Sequence, residues 1–308
     1  MNKTSKSIFT NPWIVALLGL LCCALWGSAT PFIKLGYEFS LPVRDTASTI
    51  LFAGLRFTLA GVLTILIYSL ARRRFLWPKK ESWLSICKIS SFQTVIQYIF
   101  FYIGLANTTG VKGTVGSASN TFFSILIACL IYRQEKLTVK KILACILGFA
   151  GIILVNLNGL DLTFNFTGDC FVLFAAVAYA FSSVLMKRYS DHEDPVILSG
   201  YQFVIGGLFL VVVGLLFGGV VQIPNLTALA VLLYLAMLSA IAYAVWGILL
   251  KHNPVSSVTI YCFAIPIFGV LLSALMLTEN GNVPLQNLLL GLVLICSGIV
   301  TANYNKKH

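Results

Sequence analysis

Apolar residues run through this chain in ten stretches of helix length, and the polar and charged residues gather in the short intervals between them. The stretches are Trp13 to Leu35, Thr46 to Leu70, Trp83 to Leu105, Gly110 to Tyr132, Val139 to Leu157, Thr167 to Met186, Val196 to Val220, Thr227 to Leu250, Pro254 to Leu277 and Leu285 to Asn303. Each approaches the roughly 20 residues a helix needs to cross a hydrocarbon core. A helix is the favoured form there because it pairs its own backbone groups, which otherwise cost several kcal/mol each in lipid. The intervals carry helix breakers and turn formers, among them Gly36, Pro42, Pro78, Asn158-Gly159, Pro195, Pro224, Asn253-Pro254 and Asn280-Gly281. The pattern predicts an all-α integral membrane protein of ten transmembrane helices, with no soluble domain.

The pattern also repeats. Gly110 to Glu135 lies over Pro254 to Glu279 without a gap, setting Lys112 against Ser256, Ser117 against Tyr261 and Glu135 against Glu279. The first and sixth stretches set Trp26 against Tyr179 and Lys34 against Lys187, and the second and seventh set Arg56 against Gln202 and Phe57 against Phe203. Tyr102 then meets Trp246, and Gly151 meets Gly298, so five pairs align in order. Five is odd, so the second copy enters the membrane from the opposite side, and the chain reads as two inverted five-helix repeats, residues 1–157 and 158–308, forming one membrane domain. Two such halves can exchange conformations, which is the architecture of alternating access.

Composition agrees, with 58% hydrophobic and 10% charged residues and a mean hydropathy of +0.92. The net charge of +11 would point to nucleic acid in a soluble protein. Here Arg44 and Lys112 alone fall on one set of alternate loops, Lys34, Arg56 and Lys88 fall within stretches, and the rest of the 21 basic residues fall on the other set. Basic residues near helix ends stay on the cytoplasmic side, so both termini are expected in the cytoplasm of a cell-membrane protein. The charge is therefore topological, and no nucleic-acid partner is expected. The first stretch is long enough to span and lacks a clean cleavage site, so it is expected to stay attached.

The eight cysteines lie in or beside apolar stretches with no paired CxxC, and His192, His252 and His308 lie in loops or at the end of the chain. They suggest no metal or cofactor. Asn-x-Thr triplets at Asn107, Asn165 and Asn225 are expected by chance.

Polar residues inside the stretches are the candidate chemistry, because lipid disfavours them. Gly113, Ser117, Asn120 and Ser124 form a stripe at helical spacing, whose counterparts Ser257, Tyr261, Ala264 and Phe268 have turned partly aromatic. Gln93, Gln97 and Phe101 share a face of the third helix with Tyr98 and Tyr102 beside them. Such walls suit a small zwitterionic or aromatic metabolite, while the alternative is that small and hydroxyl residues let helices approach closely. Trp26, Tyr179, Tyr243 and Trp246 are candidates for an aromatic lining or for plain packing. Arg56 sits roughly 15 Å deep at about 1.5 Å per residue, either as a counter-charge for a substrate carboxylate or as a pin between helices. All ten acids lie in loops or at stretch ends. Facilitated diffusion or exchange is therefore expected over carboxylate-driven proton antiport.

Trp26-Gly27 followed by Lys34, Arg56-Phe57, Tyr243 with Trp246, Pro266 with Glu279, and Gly291 with Gly298 occur in the order and spacing of a known family. The chain resembles the drug/metabolite transporter superfamily, in particular its EamA-type ten-helix permeases, over roughly Trp13 to Asn303. It departs in having Phe122 where the family has a proline matching Pro266, Ala144 in place of a glycine, and Asn280-Gly281 after Glu279. The first departure leads to the expectation of a straighter fourth helix. The resemblance implies that the first four helices of each half surround a central cavity, with the fifth and tenth packed outside, where a homodimer contact is one role open to them. It implies a secondary transporter moving a small metabolite, an amino acid or related compound among the candidates, and not an enzyme. An intramembrane enzyme built on His192-Glu193-Asp194, or a scaffold, are the readings it displaces.

Overall fold

The structure, a computed structural model, describes residues 7–157, 163–276 and 284–303. Ten long helices cross the bundle: α1 (Pro12–Ser40), α2 (Thr46–Ala71), α3 (Lys80–Ala106), α4 (Gly110–Ile131), α5 (Val139–Val155), α6 (Phe166–Tyr189), α7 (Pro195–Leu216), α8 (Leu226–His252), α9 (Val255–Leu272) and α10 (Leu285–Asn303). Nine helices among the described residues are long and apolar enough to cross a membrane; α5, with 17 residues, is the short one. Boundaries follow local chemistry. Side chains of Asn11, Asp45, Asp194 and Asn225 accept hydrogen bonds from the first free N–H groups of α1, α2, α7 and α8, at 2.7 to 3.0 Å. Asn225 is thereby a helix cap, and Asn165 plays the same part ahead of α6, accepting from Gly168 N at 2.8 Å.

The packing carries the inverted repeat. The most extensive helix contact is between α2 and α7, followed by α5 and α10, each a helix against its own counterpart. α1 packs on α8 and α9, and its counterpart α6 packs on α3 and α4. The loops divide into two ends. One, here the basic end, holds the α2–α3, α4–α5, α6–α7 and α8–α9 connections with most of the Lys and Arg. The other is the far end.

Glycine sets the distance at both counterpart contacts. A Cβ at Gly207 would stand 2.4 Å from Thr58 N, one at Gly54 2.6 Å from Val211 N, and one at Gly61 2.6 Å from Gly200 O. The α2 and α7 backbones touch, which only a residue without Cβ permits. At α5 and α10 a Cβ at Gly298 would meet Ala144 O, and one at Gly151 would meet Gly291 O, both at 2.8 Å.

Two helices are irregular at matched depth. α9 opens with a helical turn over Val255–Thr259, tightens into a 3-10 turn over Ile260–Ala264 and resumes ahead of Pro266. α4 has no proline, yet it breaks at Ser119 between Gly110–Ala118 and Asn120–Leu126 and widens into a π turn over Ile127–Ile131. The straighter fourth helix expected from Phe122 is not what is seen. The Ser119 N–H and hydroxyl both turn back to Gly116 O, at 3.2 and 2.5 Å, drawing that carbonyl from the regular ladder. Glu279, Asn280-Gly281, Asn158-Gly159, Asp161 and His308 lie outside the described residues.

Candidate functional site

Six of the residues singled out by sequence converge at the centre of the bundle. Trp26 of α1 stands edge-on to Tyr243 (5.0 Å) and Trp246 (4.9 Å) of α8. The hydroxyls of Tyr98 and Tyr243 lie 3.4 Å apart, and Tyr98 packs on Tyr102 and on Phe57. Phe57 stacks on its repeat counterpart Phe203 at 5.1 Å, and Phe203 meets Tyr243 edge-on at 4.8 Å. Arg56 is 4% exposed beside this cluster, its guanidinium 5.0 Å from the Phe57 ring. Its Nε and Nη2 donate to Ser239 Oγ of α8, at 3.2 and 2.9 Å.

Arg56's counterpart is placed alike. Gln202 of α7 accepts from Thr94 Oγ1 of α3 at 2.8 Å, so α2 ties to α8 as α7 ties to α3. The register slips by one residue across this pair, where α3 passes through a π turn at Ser91–Ile96 that accommodates one extra residue. That turn also separates Gln93 from Gln97. Gln93 is buried beside Tyr179, Ser183, Tyr243 and Trp246 around a cavity of about 10 Å³, room for about one water.

The remaining sequence candidates divide. Gln97, Ser117 and Asn120 are half-buried on the far half of the bundle. Gln97 Oε1 has no hydrogen-bond partner, Ser117 Oγ returns to Gly113 O at 2.6 Å, and Asn120 Oδ1 accepts from Thr121 Oγ1 at 3.1 Å. Tyr179 lines the small cavity. Tyr261 does not join them. Its ring covers Gly19 of α1, where a Cβ would stand 3.0 Å away, and its carbonyl accepts from Cys23 Sγ at 3.1 Å. It is a packing residue of the α1–α9 contact. Gly113 faces Leu105 and Ser124 is fully buried, so the two ends of the α4 stripe serve helix approach. Ser239 was missed in the sequence, where the lone serine in the apolar run of α8 was its signal, and Phe57 and Phe203 were paired by the repeat without being assigned to the site.

The two halves of the bundle differ. Toward the basic end α4 packs on the start of α9, Thr121 Oγ1 donates to Thr259 O at 3.1 Å, and Glu135 holds both Ser256 groups. Glu135 Oε1 accepts from Ser256 N at 3.2 Å, Oε2 accepts from the Ser256 hydroxyl, and Lys141 Nζ pairs with Oε2 at 2.7 Å. A carboxylate over a helix N-terminus is stabilised by the exposed N–H groups there. Toward the far end α4 packs on α3, α5 and α6, whereas α9 packs on α1, with no extensive contact between their far halves among the described residues. The loop His192-Glu193-Asp194 serves the basic end as a fastener. Glu193 accepts from Lys79 N at 2.9 Å, His192 O from Lys79 Nζ at 2.6 Å, and Asp194 from Tyr68 OH at 2.7 Å. Burial opposes ionisation of Glu193, but the N–H groups of Lys79 and Asp194, Ser82 and the Lys79 charge outweigh it and hold its carboxyl below the usual range.

Sequence comparison places this architecture. The EamA-like transporter family matches residues 13–157 and 166–304, one match on each set of five helices. The chain belongs to the EamA-like transporter family. Among its relatives are an uncharacterized transporter, YvbV, of Bacillus subtilis (strain 168), 28% identical over 95% of this chain and 92% of its own, and an uncharacterized transporter of Archaeoglobus fulgidus, 25% identical over 86% and 89%. A solved crystal structure shares the fold, with a TM-score of 0.75 at 18% identity, over 94% of this chain and 97% of its own. As an EamA-like protein the chain is a multi-pass membrane protein of a transporter family, and the inverted repeat read from its sequence is the organisation consistent with that family.

Proposed function

We propose that this protein is a secondary transporter that moves a small metabolite, an amino acid or related compound among the candidates, by alternating access across the cell membrane. The observation that carries this is the one-sided closure of a two-sided molecule: α4 and α9 meet at the basic end, with no extensive contact between their far halves among the described residues. Inverted repeats make the opposite arrangement available to the same chain. With the basic end and both termini cytoplasmic, as the lysine and arginine distribution favours, the structure corresponds to a state closed inside. Gln97, Ser117 and Asn120 would then meet solute entering from the far end, above the floor made by Trp26, Tyr98, Tyr102, Tyr243 and Trp246. Residues 1–157 and 158–308 act as the two exchanging halves. The exposed apolar faces of α5 and α10, such as Val139, Ile146, Leu289 and Val293, face lipid or a second copy.

Transport by purified protein in liposomes, with a metabolite panel inside and out, tests this. Asn120→Ala and Gln97→Ala are expected to weaken flux and ligand-induced thermal stabilisation together, by up to about tenfold in affinity each, since one polar contact is worth roughly 0.5 to 1.5 kcal/mol. Leu289→Ala, on the lipid side and 52% exposed, should leave affinity unchanged. Covalent change of a solute without flux would sink the reading, and so would Asn120→Ala protein that binds ligand like wild type.

A further inference from the structure

We propose that Arg56, with the indole N–H groups of Trp26 and Trp246, forms the receptor for a carboxylate on a small substrate with an apolar or aromatic body; this rests on the transport reading above. The guanidinium is buried mid-span, and its Nε and Nη2 share a single neutral acceptor, Ser239 Oγ. That hydroxyl spends its own proton on Leu235 O at 2.9 Å, so it offers lone pairs but no charge. No described carboxylate lies within ion-pair distance of Arg56. Among the described residues Nη1 has no acceptor. A buried cation without a counter-ion is costly, and such groups in membrane spans mark sites where an anion or water is met.

The surroundings add donors. Trp26 Nε1 and Trp246 Nε1 are buried with no hydrogen-bond partner among the described residues, and an indole nitrogen can only donate. The Tyr98 and Tyr243 hydroxyls at 3.4 Å leave at least one proton to offer. Two aromatic pairs, Trp26 with Trp246 and Phe57 with Tyr98, belong to the same cluster, linked through Tyr243. A site that is positive, rich in donors and apolar-walled selects an anion whose oxygens lie in a plane, matching the guanidinium fork. An amine would be repelled. A neutral amide would engage the indoles and leave the charge unanswered.

The probes are phenylacetate, phenylacetamide and phenethylamine, titrated against the full-length protein in detergent by Tm and tryptophan fluorescence. Phenylacetate is expected to bind at least tenfold more tightly than either analogue. Arg56→Gln should erase that preference, whereas Ser239→Ala should lower the Tm of the free protein and keep it. Equal binding of acid and amide to the wild type would overturn the proposal, as would a preference that survives in Arg56→Gln, which would make Arg56 a pin between α2 and α8. If Arg56→Gln does not fold, Trp246→Phe carries the test: a severalfold loss for the acid alone supports it, and unchanged acid affinity overturns it. Liposome flux separates the two readings. Flux of neutral or cationic solutes without acids sinks the carboxylate receptor and leaves transport standing; acid binding with no flux of any solute does the reverse.

Discussion

Two pairs of counterpart helices cross near the pseudo-two-fold axis, and they cross differently. α2 and α7 touch along their length through Gly54, Gly61, Gly200, Gly207 and Gly214, each placed where a Cβ would collide with the other helix. Among the described residues α4 and α9 make their extensive contact at the basic end. The first contact obeys the symmetry of the repeats and the second breaks it. Under the proposed alternating access, a fixed axis and a pair of helices that can meet at either end are both needed, and the broken symmetry falls on the second. The close packing of α2 on α7 is a poor candidate for motion, since interpenetrating backbones separate only at the loss of many contacts. The α4–α9 contact is held by a few polar groups on interrupted helices, with Ser119 and the Ile260–Ala264 turn as natural flexing points.

The largest effect should come from attacking the fixed contact. Gly207→Val forces a side chain into Thr58 N and Thr58 Oγ1, 2.4 and 2.6 Å from the new Cβ, and overpacking of this kind costs about 1–3 kcal/mol even where side chains can yield. Backbone yields less, so folded protein recovered by size exclusion is expected to drop sharply. Recovery at wild-type level would show that α2 and α7 slide, and the distinction between axis and gate would fail.

Glu135→Gln should act on the other contact with a smaller cost to stability, because it removes the charge over Ser256 and the ion pair with Lys141 while Lys141 Nζ keeps Lys136 O as an acceptor at 2.8 Å, a loss of up to ~3 kcal/mol for a mostly buried pair. The predicted readout is access from the basic end. A cysteine at Ser183, on the small cavity, introduced with the exposed Cys87 and Cys296 replaced by serine, should label faster with a membrane-impermeant thiol reagent in Glu135→Gln than in its parent. Equal labelling would mean that Glu135 fastens a loop and holds no gate.

The smallest effect concerns the Glu193 fastener, and acid reveals it. The folded chain holds the Glu193 carboxyl below its ordinary range, so the ionised form favours the folded state. That contribution is complete above the ordinary glutamate pKa of about 4.3 and fades as pH falls through the lower folded value. The Tm gap between wild type and Glu193→Gln should therefore be constant near neutrality and close in acid below pH ~4. A gap that widens in acid would contradict the assignment.

Much of the fold was legible because lipid imposes a single rule: long apolar runs become helices, and their number and order survive divergence. The repeat was legible for the same reason, in Phe57 against Phe203 or Gly151 against Gly298. The central aromatic cluster was legible in part. Trp26, Arg56, Tyr98, Tyr102, Tyr243 and Trp246 were drawn out by being aromatic or polar in apolar runs, and they meet. Tyr261 had the same signature and packs on Gly19 instead, because residue type carries no direction and the 3-10 turn at Ile260–Ala264 rotates the face that simple helical spacing assigns. The break in α4 was misjudged because a serine hydroxyl can interrupt a helix where no proline does.

By itself, then, the chain's apolar periodicity determined ten helices, their inverted pairing and the grouping of basic loops, since each follows from local length, order and charge against a uniform solvent. Which of the two inverted arrangements is occupied was decided by tertiary structure alone. Inverted halves carry no sequence signal for one end over the other, and the contacts of Glu135 with Ser256 and Thr121 with Thr259, between residues 121 and 138 positions apart in the chain, belong to the arrangement with the basic end closed.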